Sequence, residues 1–257
     1  MNNVSVVSMV GMICTIVISF GLPLALFIIM AKKKAEKKCF AIGAVTFIIF
    51  ALGLESICHR IVMNIVSEAT FTNIAFLAIY GGLAAGIFEE TGRLVAMKTV
   101  MKKNLTKKNA IMYGVGHGGI EAIIVVGLLS ISNLIVSNMI NSGTTIAIAN
   151  GSNEDQLSLL INTAPLDFYM AGVERISAIT LHICLSYLVY LAVKNKKYGW
   201  YCLAVLVHAI ADAMVLAIAK VLPIYVVEVI FILFVFIIAY FTYKAYQKEP
   251  ETEIQTD

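Results

Sequence analysis

Two adjacent glutamates lie in an apolar stretch of the chain, in the motif "GIFEETGRLVAMK". Glu89 and Glu90 are four and three residues before Arg93, so on a helix both carboxylates can reach one guanidinium group. A carboxylate held in this way is a candidate general base that activates a water molecule. We therefore take Glu89, Glu90 and Arg93 as candidate catalytic residues.

Two further motifs place a histidine one helical turn before a carboxylate. His117 and Glu121 lie four residues apart in "HGGIE", and His208 and Asp212 lie four residues apart in "HAIAD". A carboxylate at this distance can orient an imidazole and set its tautomer. These four residues are candidates for the same catalytic site.

A third group, Glu174, Arg175 and His182, lies between these two motifs along the chain. Arg175 and His182 are seven residues apart and share one face of a helix. Both are possible additional members of the site. Glu174 is a further possible member, although both it and Arg175 lie well toward the outer side of their predicted span.

The elements that position these residues are predicted to be membrane-spanning helices. The chain of 257 residues is 60% hydrophobic and 14% charged, with a mean hydropathy of +0.89. A soluble domain usually has about a quarter of its residues charged, and a span needs about 20 apolar residues. The predicted fold is an all-α, polytopic bundle of about seven transmembrane helices in the plasma membrane, which leaves no room for a soluble domain. The seven apolar stretches are 4–31, 39–58, 73–97, 109–133, 166–193, 200–221 and 224–243.

Basic residues predict how the bundle is oriented. Of the 19 lysines and arginines, 15 lie in four blocks that seven spans would place on one side. The positive-inside rule then predicts an outside N-terminus and a cytoplasmic C-terminus. The bundle is expected to cover residues 1–246, followed by a disordered tail, 247–257, with a long outer connection at 134–165. Because the lysines form no basic face on a folded domain, nucleic acid is not an expected partner.

Burying ionisable groups in this bundle is costly, since each one at the bilayer centre costs about 2.5–3.5 kcal/mol. The predicted spans contain five carboxylates from the motifs above and only two arginines, a deficit of three positive charges. Protonated carboxylates, charged histidines or a bound metal dication would balance it. Glu89, His117 and His208 are also predicted at one depth, about 12–14 Å from the cytoplasmic border at a rise of about 1.5 Å per residue. This shared layer predicts one polar site in the inner half of the bundle.

Several classes of function remain open at this point. An enzyme would use a glutamate to activate water and polar donors to stabilise an oxyanion. No cofactor is favoured, but a zinc enzyme would use ligands from His117, Glu121, His182, His208 and Asp212. A proton-coupled transporter would use the same residues as a relay, although we find no inverted repeat of the kind common in transporters. A seven-span receptor would not need so many ionisable groups at one depth.

Four motifs taken together carry a resemblance to a known family. "EETGR", "GHGGIEA", "ERISAITLHI" and "HAIADA" occur in this order on successive predicted helices. In this order they resemble the YhfC family of intramembrane proteases, which is related to the PrsW-like and CAAX-processing glutamic intramembrane proteases. The resemblance extends from about the second predicted span to the seventh.

The resemblance implies a peptidase that acts on membrane-embedded or lipid-proximal peptides. It implies that Glu89 or Glu90 activates the water and that His208 with Asp212 supports the oxyanion. The chain has two residues between Glu90 and Arg93, where the CAAX enzymes have three, and a histidine where they have phenylalanine. We therefore do not expect prenylated proteins, the substrates of the CAAX enzymes, to be substrates of this protein. The extra histidine leaves a zinc mechanism possible as well as a glutamic one. Because the polar site is predicted in the cytoplasmic half of the bundle, water is expected to enter from the cytoplasm.

Overall fold

Seven long helices make up most of the computed structural model, which describes residues 3–143 and 154–250. Each is long and apolar enough to cross a membrane, so the predicted all-helical, seven-span fold is confirmed. The helices are α1 (Val6–Lys32), α2 (Lys37–Ile65), α3 (Ile74–Lys98), α4 (Lys107–Asn141), α5 (Pro165–Lys194), α6 (Gly199–Ile218) and α7 (Ile224–Lys248).

Local sequence signals account for where several helices begin. The side chains of Ser5, Asn73 and Thr106 each accept a hydrogen bond from a backbone N–H in the first turn of the helix that follows. Such caps satisfy donors that have no partner within the helix. Pro165 begins α5 at a position where its missing N–H costs nothing.

Two of the helices run further than their apolar stretches predict, and each contains a π-helical segment. α2 has its segment at Ile48–Glu55 and continues to Ile65, and a short helix follows at Glu68–Phe71. α4 has its segment at Ala122–Gly127, directly after Glu121. π-helical turns are frequent at functional sites. The predicted outer connection lies partly outside the described residues, and its described part includes the helix Glu154–Asn162.

The helix α5 is the centre of the bundle, and most of its residues are buried. It packs against α1, α3, α4, α6 and α7, while α3 packs along α6 and α2 packs along α4. At the end that carries the basic blocks, Glu249 joins two of them, because Lys107 donates to its carbonyl oxygen at 2.8 Å and Lys194 lies 2.5 Å from its carboxylate. The helix α7 runs two residues beyond the predicted boundary at 246, and residues 251–257 of the predicted tail lie outside the described residues.

Glycines allow the helices that carry the site to approach closely. A Cβ added at Gly43 would lie 2.1 Å from the carbonyl oxygen of Tyr113, and one at Gly86 would lie 2.6 Å from that of Val205. The first contact joins α2 to α4, and the second joins α3 to α6. Neighbouring helices fill the space beside most of the glycines of α3 and α4.

We predict that Gly43→Ala destabilises the protein. The added methyl group meets backbone, which cannot move without separating α2 from α4, and overpacking of this kind costs about 1–3 kcal/mol. Gly21→Ala is the matched control, because a Cβ there meets nothing within 4 Å and alanine is the better helix former. Thermal unfolding in detergent should show a lower midpoint for Gly43→Ala alone. Equal midpoints for the two variants would contradict this packing.

Candidate active site

A guanidinium group lies at the centre of the polar cluster. The Arg93 side chain is fully buried, and its Nη1 forms a very short ion pair with Glu90 Oε1. Its Nη2 lies 2.6 Å from His182 Nδ1 and 3.9 Å from Glu89 Oε2. Arg93 therefore joins α3 to α5.

The two adjacent glutamates have different surroundings. Glu90 is fully buried and holds both Arg93 and His208, whose Nδ1 lies 2.8 Å from its Oε1. Glu89 instead lies 2.7 Å from His117 Nε2 and lines a cavity, which Glu90 does not. Glu89 is thus the carboxylate of the pair that water in the cavity can reach.

His182 has both ring nitrogens engaged. An arginine can only donate hydrogen bonds, so Nδ1 of His182 must accept from Arg93 and the ring proton must lie on Nε2. That nitrogen makes a very short contact with the carboxylate of Glu121. Glu121 is held in turn by Arg175, whose Nη1 donates to it at 3.0 Å. Arg175 also donates to Glu174 at 2.5 Å.

The histidine–carboxylate pairs formed differ from the pairs that the sequence suggested. Glu121 contacts His182 and Arg175 on α5 rather than His117, which is paired with Glu89 on α3. Asp212 Oδ2 lies 3.6 Å from His208 Nε2, beyond hydrogen-bond distance, so Glu90 is the group that orients His208. An i, i+4 spacing predicts that two residues share a face, but helices packed close by offer the same side chains alternative partners.

A cavity of about 300 Å³ adjoins this cluster. Its polar lining consists of Glu55, His59, Glu89, Glu121, Glu174, Arg175, His182, His208 and Asp212. The rings of His117, His182 and His208 follow one another, with centroids 5.1 Å and 5.3 Å apart. The candidate residues from all four motifs are therefore brought together within one site.

The sequence reasoning missed three polar residues in the helices. Glu55 is buried and lines the cavity, and His59 pairs with it and lies 2.8 Å from the Tyr80 hydroxyl. Glu228 is buried on α7. Glu55 and Glu228 both lay inside predicted spans, and a complete count of carboxylates in those spans would have found them.

Comparisons with known proteins identify the family of this chain. A family model described as YhfC intramembrane metalloprotease matches residues 16–233, from within α1 to within α7. The chain belongs to the YhfC family. The "Uncharacterized membrane protein YhfC" of Bacillus subtilis (strain 168) is 39% identical over 201 residues, which is 75% of this chain and 78% of that protein. The predicted family and the membrane location are thus confirmed, and the family description supports a protease.

The YhfC family description implies a metal, so the fit of the side chains to a metal matters. Within the described residues, Glu89, His117 and His182 bring one ligand atom each within 4.8 Å of one another. Two imidazoles and a carboxylate are a donor set that catalytic zinc uses. This set contains His117 and His182, two of the five ligands predicted from the sequence. Its third member is Glu89, which was not among those five. In this arrangement, however, the lone pair of His182 accepts from Arg93 and its other nitrogen carries the proton, so the donor types fit zinc but His182 is not free to bind it.

Proposed function

We propose that this protein is an intramembrane peptidase in which Glu89 activates the water that attacks a peptide bond. The observation that carries the proposal is the contrast between the two glutamates. Glu90 is fully buried in an ion pair, whereas Glu89 lines the cavity and is hydrogen-bonded by His117. A general base must reach both the water and the proton that it removes, and Glu89 meets this requirement.

The reaction follows from these positions. Glu89 takes a proton from water as the water oxygen bonds to the peptide carbonyl carbon, and the carbonyl becomes an oxyanion. When the C–N bond breaks, the protonated Glu89 returns the proton to the leaving nitrogen. The products are a carboxylic acid and an amine, which exchange a proton to become a carboxylate and an ammonium group, and the glutamate is restored.

His208 is suited to stabilise the oxyanion. Its Nδ1–H donates to Glu90, and when the ring carries its second proton, Nε2–H is directed toward Asp212 and the cavity that His208 and Asp212 line. A pre-oriented donor in a site that excludes water stabilises developing charge far better than a mobile one does. Arg93 and Glu90 hold this donor in place, and Arg175 and Glu121 do the same for His182.

A zinc-dependent peptidase is the second candidate, favoured by the family description and by the donor types of Glu89, His117 and His182. A bound zinc ion would supply a water molecule of lowered pKa. This route requires His182 to release Arg93, which leaves Nη2 of the buried guanidinium group without its hydrogen-bond acceptor beside the ion, while Nη1 stays paired with Glu90. The occupied lone pair of His182 is the reason that we favour the glutamic route.

The experiment that tests the function is peptide cleavage by the purified protein. The protein is reconstituted in vesicles with a labelled library of membrane-spanning and membrane-adjacent peptides, and new peptide ends are identified by mass spectrometry. We expect ends that are absent from vesicles containing Glu89→Gln. Identical products from both samples would contradict the proposal, and a proton flux abolished by Glu89→Gln without any cleavage would favour a transporter instead.

A further inference from the structure

The cavity extends from the site in one direction only. On α3 it is lined by Glu89, Ala85 and Gly81, which lead toward the N-terminal end of the helix. On α6 its lining begins at His208 and continues toward the C-terminal end, as far as Leu216. The N-terminal end of α3 and the C-terminal end of α6 both lie away from the loops that carry the basic blocks. The cavity thus runs toward the end of the bundle opposite those loops.

The exposure of side chains along the site gives the same direction. The side chains of Asp212 and His59 are 39% and 35% exposed at the far end of the cavity. Toward the basic end, Arg93 is fully buried, and Met97 and Tyr113 beside it are also fully buried. Water can therefore approach Glu89 from the far end, while packed side chains separate it from the basic loops.

We infer that the site receives water and substrate from the non-cytoplasmic side of the membrane. The positive-inside rule assigns the basic loops to the cytoplasm, so the open end of the cavity faces outward. This replaces the expectation from sequence that water enters from the cytoplasm. This statement about substrates rests on the proposed function: they are membrane proteins or peptides whose scissile bond is presented from the outer leaflet and does not lie in a cytoplasmic C-terminal tail.

Cysteine labelling tests this direction without any need for activity. Ala85→Cys and Ala178→Cys each place a thiol in the cavity wall at positions that are otherwise buried. Val100→Cys places one on the exposed loop after α3, at the basic end. The background chain has its three incompletely buried cysteines, Cys14, Cys58 and Cys202, replaced by alanine and serves as the blank. The probe is a membrane-impermeant trimethylammonium methanethiosulfonate, applied to right-side-out and to inverted vesicles.

We expect the two cavity thiols to react in right-side-out vesicles and Val100→Cys to react only in inverted ones. Cavity thiols that react only in inverted vesicles, or in neither preparation, would overturn the inference. Reaction of Val100→Cys from the outside would overturn it by reversing the orientation. Because labelling does not depend on peptide cleavage, its failure leaves the proposed hydrolysis standing, and a lack of cleavage leaves the labelling result interpretable.

Discussion

Glu89→Gln is expected to lower the rate of peptide cleavage by about a hundredfold or more, while the protein still inserts and folds. Glutamine cannot take the proton from water, and loss of a general base commonly costs about 10²–10⁴ in rate. The amide still accepts a hydrogen bond from His117, so this side-chain link between α3 and α4 should persist. Rates are compared on one peptide from the library, with equal amounts of folded protein.

Glu55→Gln is the matched control for this variant. Glu55 is also a buried glutamate that lines the cavity, but its partner is His59 at the far end and not the histidine cluster. We expect this variant to keep most of its cleavage activity. Full activity in Glu89→Gln, or an equal loss in both variants, would contradict the assignment of Glu89 as the base.

Arg93→Ala is expected to have the largest effect on stability. It removes the group that neutralises Glu90 and donates to His182, and breaking a buried ion pair from one side costs about 3–5 kcal/mol. Thermal unfolding in detergent should show a strongly lowered midpoint, together with loss of cleavage. Arg93→Lys keeps the charge but not the two-pronged contact, so we expect an intermediate midpoint.

The control for Arg93→Ala is Arg60→Ala, an exposed arginine on α2. Substitutions on the surface usually change the free energy of unfolding by less than about 0.5 kcal/mol. Equal midpoints for the two alanine variants would show that the guanidinium of Arg93 does not hold the bundle together.

The elements of this fold could be predicted from sequence because their signals are local. Apolar stretches of sufficient length give the number of helices, and the four motifs identify most of the ionisable residues that meet in the site. The partners could not be predicted, because they depend on how the helices pack. Gly114 and Gly118 bring the backbone of α4 close to that of α5, since a Cβ added at these positions would lie 2.7 Å and 3.2 Å from Cα atoms of α5. Glu121 therefore pairs with a side chain on α5, and His117 pairs with Glu89 on α3. The two do not pair with each other along α4.

The end of the bundle from which the site is reached also could not be predicted from the spacing of residues. Depth along a helix correctly suggested that Glu89 and His117 could meet, since both lie the same number of residues from the basic end. Depth does not indicate which end of the bundle is packed. That depends on large side chains such as Met97 and Tyr113, which fill the end from which water was expected to enter.

The most direct test of the central claim combines zinc content and peptide cleavage in one sample. The purified protein is treated with a chelator, its metal content is measured, and the same preparation is assayed on a library peptide. A glutamate-activated water predicts cleavage at the untreated rate with far less than one metal ion per chain. Cleavage that disappears with the metal and returns when zinc is added would contradict the account and assign Glu89, His117 and His182 to a metal centre.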